Sequence, residues 1–243
     1  MPPSALTDRL AEHVALHGSG GRLSGAKRRA AVSRALYEDF ADLRGLLHAA
    51  ARGRTVDIRS HTEEAWCDMA AAAGVLTPRG QRFRAADNGA RAYLGGGWLE
   101  ELVALALAEA GCSDVRFAQM IRWRAPGSAD DHFNEVDALG VHGGRLVLVS
   151  CKATATDLLE RARGEDRMFD AMLELSYWNA HFGARSALPV FVTTTDFYDE
   201  DARAFRSPRL MERARVLGLH VLTADFSTYA AFAGKLAAIL SER

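Results

Sequence analysis

Long apolar runs are missing from this sequence. A membrane-spanning helix needs roughly 18 consecutive apolar residues, and stretches such as 69–76 and 146–149 fall far short. No membrane partner is expected. The opening MPPSALTDRLAEH has Asp8 and Glu12 where a secretory signal carries its apolar centre, so the expected location is cytoplasmic. Cysteine is sparse too. Cys67, Cys112 and Cys151 form no CxxC pair and no even framework, which fits a reducing compartment. Neither sign of charge dominates: 30 Lys and Arg stand against 31 Asp and Glu, for a net charge of -1. That balance excludes a polybasic binder, but not an enzyme that meets nucleic acid through a local patch. GxSxG is absent, and the eight histidines never form HExxH. Serine-hydrolase and zinc-protease chemistry therefore fall away.

What remains is an ordinary globular chain of 243 residues, 49% hydrophobic and 25% charged. Its length fits one domain and a smaller companion. Residues 1–93 read as a helical unit. Ser4 starts one helix, which Gly18-Ser-Gly-Gly breaks; Ser24 caps a long one running through His48; a third covers 62–73. Two short extended pieces with a turn between them follow, and helices before such a hairpin resemble a winged helix. Residues 1–60 hold ten basic and six acidic side chains, including the run Lys27, Arg28 and Arg29. This run is a candidate for weak nucleic-acid contact or an ordinary solvated face.

The character changes at Leu94. Residues 98–110 are strongly helical, 115–123 have strand composition, and 133–142 and 145–153 are strands around Gly143-Gly144. A helix over 165–182, a strand over 188–194, a helix over 207–217, a strand over 219–223 and a helix over 226–240 complete the order. The expected fold class is α/β, with an αβββαβ core over 94–243 and two or three elements after it.

The hairpin carries the chemistry. With Gly143-Gly144 as a two-residue loop, cross-strand partners sum to 287. Asp137 then faces Ser150, and Glu135 faces Lys152. Side-chain alternation puts all four on one face. Charge at the end of an apolar strand (LVLVSCK) needs a reason. One reading is a Mg²⁺ or Mn²⁺ site, where carboxylates hold the ion and lysine assists water attack on a phosphodiester. The other is a Glu135–Lys152 ion pair with Asp137 bonded to Ser150. In the preceding helix, Leu99, Leu102, Val103 and Ala106 form the buried stripe. Glu100 flanks it as an additional ligand, while Glu101 points nearly opposite, toward solvent.

A helix glutamate followed by Asp-x(12)-Ser-x-Lys resembles the PD-(D/E)xK nuclease superfamily, whose core is αβββαβ. More narrowly, GGWLEELV (96–103), NEVDALGV (134–141) and LVSCKA (148–153) resemble the nuclease domain of the Card1/Can2 family, the DUF1887-type CRISPR ancillary nucleases. The similarity covers about three-fifths of the chain. It implies a metal-dependent nuclease on DNA or RNA, in prokaryotic antiviral defence, working as a homodimer with Mg²⁺ or Mn²⁺. It assigns the metal to Asp137, Glu100 and the backbone carbonyl of Cys151, and catalysis to Glu100, Asp137 and Lys152. Glu135 and Ser150 stand behind these. Two departures are visible. Ser150 occupies the usual acidic position, which keeps open a non-catalytic nucleic-acid-binding or assembly subunit. The first 90 residues are too short and too helical for the family's sensor domain, so a separate sensor or effector partner is expected. Arg122 and Arg124, ending the first strand, are further candidates for phosphate contact or surface charge.

Overall fold

The computed structural model describes residues 6–125, 127–183, 187–223 and 228–242. After a single 3-10 turn at Leu6–Arg9 come two short strands, β1 (Val14–His17) and β2 (Gly21–Arg22). Both run antiparallel along one strand of the central sheet. The helix expected from Ser4 to Gly18 is not formed over its described part; Ser4 itself lies outside the described residues. Backbone pairing with an open sheet edge outweighs a weak helix preference here. Gly21 permits the approach, because a Cβ on it would stand 2.2 Å from the Phe117 ring.

The long helix expected from Ser24 is three helices: α1 (Leu23–Arg28), α2 (Ala30–Glu38) and α3 (Phe40–Ala51). Arg29 and Asp39 leave helical geometry at ψ 7° and 21°, so the segment bends around what it packs against. Ser24 lies inside α1, whose N-cap is Arg22. Next come β3 (Val56–Asp57) and α4 (His61–Ala72). The Ser60 hydroxyl caps α4 by accepting from the Glu63 N–H, while the Glu63 carboxylate accepts from the Arg59 N–H. The expected hairpin is β4 (Leu76–Arg79) and β5 (Arg82–Ala85), and β5 also pairs with β3. A wing-like sheet thus stands beside the helices. Helix α5 (Asn88–Ala92) then leads through a wide turn at Tyr93–Gly97 into α6 (Trp98–Glu109). The kink rests on Gly96, whose φ of 152° is open only to glycine.

The central sheet follows: β6 (Ser113–Trp123), β7 (His132–His142) and β8 (Arg145–Lys152). Then come α7 (Gly164–Phe182) and β9 (Ala187–Thr193), a small ribbon of β10 (Tyr198–Asp199) and β11 (Ala204–Phe205), and α8 (Pro208–Val216). The chain closes with β12 (His220–Thr223) and α9 (Tyr229–Ser241). Residues 226 and 227, where this last helix was expected to begin, lie outside the described residues. Sheet order is β1–β6–β7–β8–β9–β12, with β2 also on β6. Strands β8, β9 and β12 are parallel to one another and the remaining pairs antiparallel. The fold is the expected α/β class, with αβββαβ over α6–β9. Among the described residues no helix is long and apolar enough to cross a membrane.

Both faces of the sheet are covered, so β8 and β9 read as continuous apolar runs. One face packs on α6 and α9 together with the helices of the first 94 residues; the other packs on α7 and α8. Helix α6 lies at the centre of the first layer, with α1, α2 and α9 behind it and β6 and β7 in front. That position overturns one expectation. Glu101 is not solvated but 3% exposed, because the face opposite the sheet is covered by other helices. Its carboxylate is satisfied by Arg29, which donates through Nε at 3.0 Å and through Nη2, and whose guanidinium also lies over the Tyr93 ring. Arg29 is therefore committed to a structural pair joining the α1–α2 bend to α6. Glu101→Ala would leave a half-buried guanidinium unpaired. The expected loss is about 2–3 kcal/mol, below the 3–5 of a fully buried pair because Arg29 keeps water contact. The melting temperature should fall by about 5–10 °C; a drop below 1 °C would show that the pair holds nothing together.

Candidate metal centre

The Gly143-Gly144 loop sets the register as expected. Both glycines have positive φ, 56° and 81°, and the ladder runs from His142↔Arg145 to Ala138↔Val149, each pair summing to 287. There it stops. Asp137 and Ser150 do not form the next ladder pair. Val136 belongs to the core on the α7 face and Ala138 to the core on the α6 face, although alternation would put both on one side. The change of face falls at Asp137, between the pairs Phe117–Ala138 and Gln119–Val136. On β6 the residue between those pairs is Ala118, held at φ 43°, a strained value for a residue with a Cβ.

Strand β8 continues regularly past this point. Ser150 stands beside Phe191 on the α7 side, whereas Val149 and Cys151 face α6. The expectation that Glu135, Asp137, Ser150 and Lys152 share one face by simple alternation is thus corrected. They meet because β7 and β8 part company. The Asp137 carboxylate fills the gap, with Oδ2 accepting from the Cys151 N–H at 2.6 Å and from the Ser150 hydroxyl at 3.3 Å. Lys152 Nζ stands 3.5 Å from the same oxygen. Lysine therefore pairs with Asp137, not with Glu135.

The third element is α6. Ligand oxygens of Glu100, Glu135 and Asp137 all lie within 4.8 Å of one another. Oxygens around one Mg²⁺ stand about 3–4 Å apart, given bonds near 2.1 Å, so this cluster has to tighten only modestly to grip an ion. Three hard oxygen donors suit Mg²⁺ or Mn²⁺ rather than a soft metal. The electrostatics agree. Burial, then the charges of Asp137 and Glu135, push the Glu100 carboxyl up from 4.5 to about 8, with Lys152 pulling the other way. A divalent cation would relieve that repulsion.

The side on which the Cys151 carbonyl lies follows from its neighbour. The neighbouring Lys152 carbonyl faces β9, accepting from the Thr194 N–H and the Thr193 hydroxyl. Peptide groups alternate sides along a strand, which directs Cys151 toward Asp137. Its thiol is buried and held neutral, well above the usual thiol range.

Sequence reading did not single out the clamp behind Lys152. Thr194 and Thr195 are fully buried and bond Thr154 through its N–H, its carbonyl and its hydroxyl, at 2.6–2.7 Å. Three consecutive threonines ending an apolar strand were the visible signal. A cavity of about 430 Å³ opens onto Glu100 and Glu135, bordered by Arg29, Tyr93 and Asp87. Of the candidate phosphate contacts, Lys27 and Arg28 are exposed. Arg122 and Arg124 both pair with Asp131, at 3.6 and 2.8 Å.

No family model and no curated protein matches this sequence. Solved structures do match. Protein VC1899 from Vibrio cholerae superposes with a TM-score of 0.67 at 15% identity over 93% of this chain. Can2 from Sulfobacillus thermosulfidooxidans, in complex with cyclic tetra-adenylate, does so at 0.62 and 12% over 95%. The fold is similar to that of Can2. In both cases the chain spans 58% of the other protein's length.

A carboxyl whose value is raised on folding binds its proton more tightly in the folded state. Without metal, stability should fall as pH rises from about 4.5 to about 8, because the unfolded chain ionises first. Glu100→Gln should abolish that fall and melt several degrees above wild type near pH 8. Mn²⁺ should reverse the order, stabilising wild type above pH 7 and leaving the variant nearly unmoved. Identical pH profiles for the two metal-free proteins would remove Glu100 from the cluster.

Proposed function

We propose that this chain is a divalent-metal-dependent nuclease hydrolysing phosphodiester bonds in DNA or RNA, acting in prokaryotic antiviral defence. The observation that carries this reading is the convergence of Glu100, Glu135 and Asp137 beside Lys152. They come from a helix and the parted ends of two strands. Likeness of fold to Can2 supports it. Glu100, Asp137 and the Cys151 carbonyl would hold Mg²⁺ or Mn²⁺, with Glu135 alongside. Such an ion activates water and offsets charge on a phosphoryl group. The protein's own part is positional. Asp137 Oδ2 is occupied by Cys151, Ser150 and Lys152, which leaves Oδ1 for a cation. Lys152, fixed by the threonine clamp and 29% exposed, can donate to a phosphate oxygen as charge develops on it.

A second reading has one observation in its favour. Ser150 stands where the nuclease motif carries an acid, and it is fully buried. A nuclease-fold subunit that binds nucleic acid without cutting it is the alternative. By analogy with Can2, which is in complex with cyclic tetra-adenylate, regulation is assigned in this proposal to a sensor or effector partner. Assembly as a homodimer in the cytoplasm belongs to the same proposal.

The test is incubation with labelled single- and double-stranded DNA and RNA, with and without Mn²⁺. Cleavage should require the metal. Asp137→Ala should abolish both cleavage and Mn²⁺-dependent stabilisation. Lys152→Ala should lower the rate by about 10²–10³-fold while keeping the metal-dependent rise in melting temperature. Full activity in Asp137→Ala would remove the site; metal binding without cleavage of any substrate would favour the binding subunit.

A further inference from the structure

A second cavity of about 510 Å³ lies on the other side of the Tyr93–Gly97 kink from the acidic one. Its charge is opposite. Arg44 and His48 from α3, Arg161 from the segment after β8, and Arg167 from α7 line it, and no acidic side chain does so among the described residues. Its floor is apolar, made by Phe40, Leu47, Trp98 and Leu158. Two lining residues tie it to the metal centre: Ala153 directly follows Lys152, and Trp98 precedes Glu100 by two positions. We infer that this cavity is a phosphate-binding subsite, which seats the sugar-phosphate backbone of the substrate strand one or more nucleotides from the bond at the metal centre. This inference rests on the nuclease reading and names the side chains that would hold the strand.

The physical need is plain. A polyanion must be brought to three carboxylates by a chain whose net charge is -1, so attraction has to be local. The guanidiniums are already gathered round an anion. Asp157 accepts from Arg161 at 2.7 and 3.0 Å, and Arg44 stands 3.4 Å from the same carboxylate. All three side chains are more than two-fifths exposed, so these pairings are exchangeable. Arg167 has no side-chain partner among the described residues. A backbone phosphate entering the cavity would meet Arg167 first and compete with Asp157 for the other two. Arginine suits that exchange, since its planar fork binds carboxylate and phosphate alike.

The experiment measures binding of a labelled single-stranded oligonucleotide, with Ca²⁺ in place of Mn²⁺, across a range of salt. The proteins are wild type and the combined variant Arg44→Gln, Arg161→Gln, Arg167→Gln. Every phosphate that the protein ceases to neutralise flattens the log K versus log salt slope by about 0.7 for a single strand, so the triple variant's slope should be shallower by about 0.7 for one seated phosphate. A neutral methylphosphonate linkage moved along the oligonucleotide should weaken wild-type binding on one side of the cleaved bond, and should not affect the variant there. An unchanged slope in the variant overturns the subsite even if wild type cleaves. A flattened slope with no cleavage by wild type keeps the subsite and overturns the nuclease. Should the glutamine variant melt lower, the matching lysine variant decides. Retained charge should restore the slope, and a slope still flattened would assign the effect to structure and overturn the proposal.

Discussion

The centre of this molecule depends on one carboxylate standing in for a ladder bond. Where β7 and β8 separate, backbone groups that would pair across the sheet lose their partners, and leaving them unmet costs about 1–3 kcal/mol each. Asp137 meets the Cys151 N–H with its side chain instead. That bond lets the strands part without a buried orphan donor. It also fixes the carboxylate against Ser150 and Lys152. The matching irregularity on β6, Ala118 at positive φ, shows strain concentrated at the same level of the sheet. Parting the strands and placing the acid are one structural event.

The second constraint is the burial of α6 on all sides. A helix packed between a sheet and three other helices cannot turn to find its ligands. It is held by Leu99, Leu102, Val103 and Ala106, all fully buried, and by the Arg29–Glu101 pair. Glu100 therefore stays near Asp137 and Glu135 although the three repel one another. Burial first, and then the nearby charges of Asp137 and Glu135, raise the Glu100 carboxyl above its ordinary value. Buried groups held against their electrostatic preference are a mark of functional sites, because folding alone gains nothing from them.

Much of this was legible in the sequence, and the failures have physical causes. Gly143-Gly144 set the register, since a two-residue loop with positive φ at both positions matches the twist of the strands. Glu100, Asp137 and Lys152 could be grouped from that register and the helix period. Alternation failed at Asp137 because a local change of face leaves no trace in composition. The helix wheel failed at Glu101 because a wheel with one buried stripe assumes one neighbour, and α6 has several. Residues 14–17 read as helix because pairing with a distant edge strand is invisible to a local window. The breaks at Arg29 and Asp39 are likewise tertiary: each bend follows the surface beneath it.

Ser150 is the point where motif and structure pull apart, and its burial explains how. It stands beside Phe191 on the α7 side and is fully buried, so a carboxylate there would lose its water to an apolar layer. The charge that a divalent ion would need is offered elsewhere in the cluster: by Glu100 from the helix, Glu135 from the exposed end of β7, and Asp137 between them. The serine retains one task, donating to Asp137 Oδ2 and so helping to hold that carboxylate in the gap. Counting acids along one strand finds the site short by one. Counting them in space finds three, because the strand without a carboxylate lies opposite one that carries two and the helix adds the third.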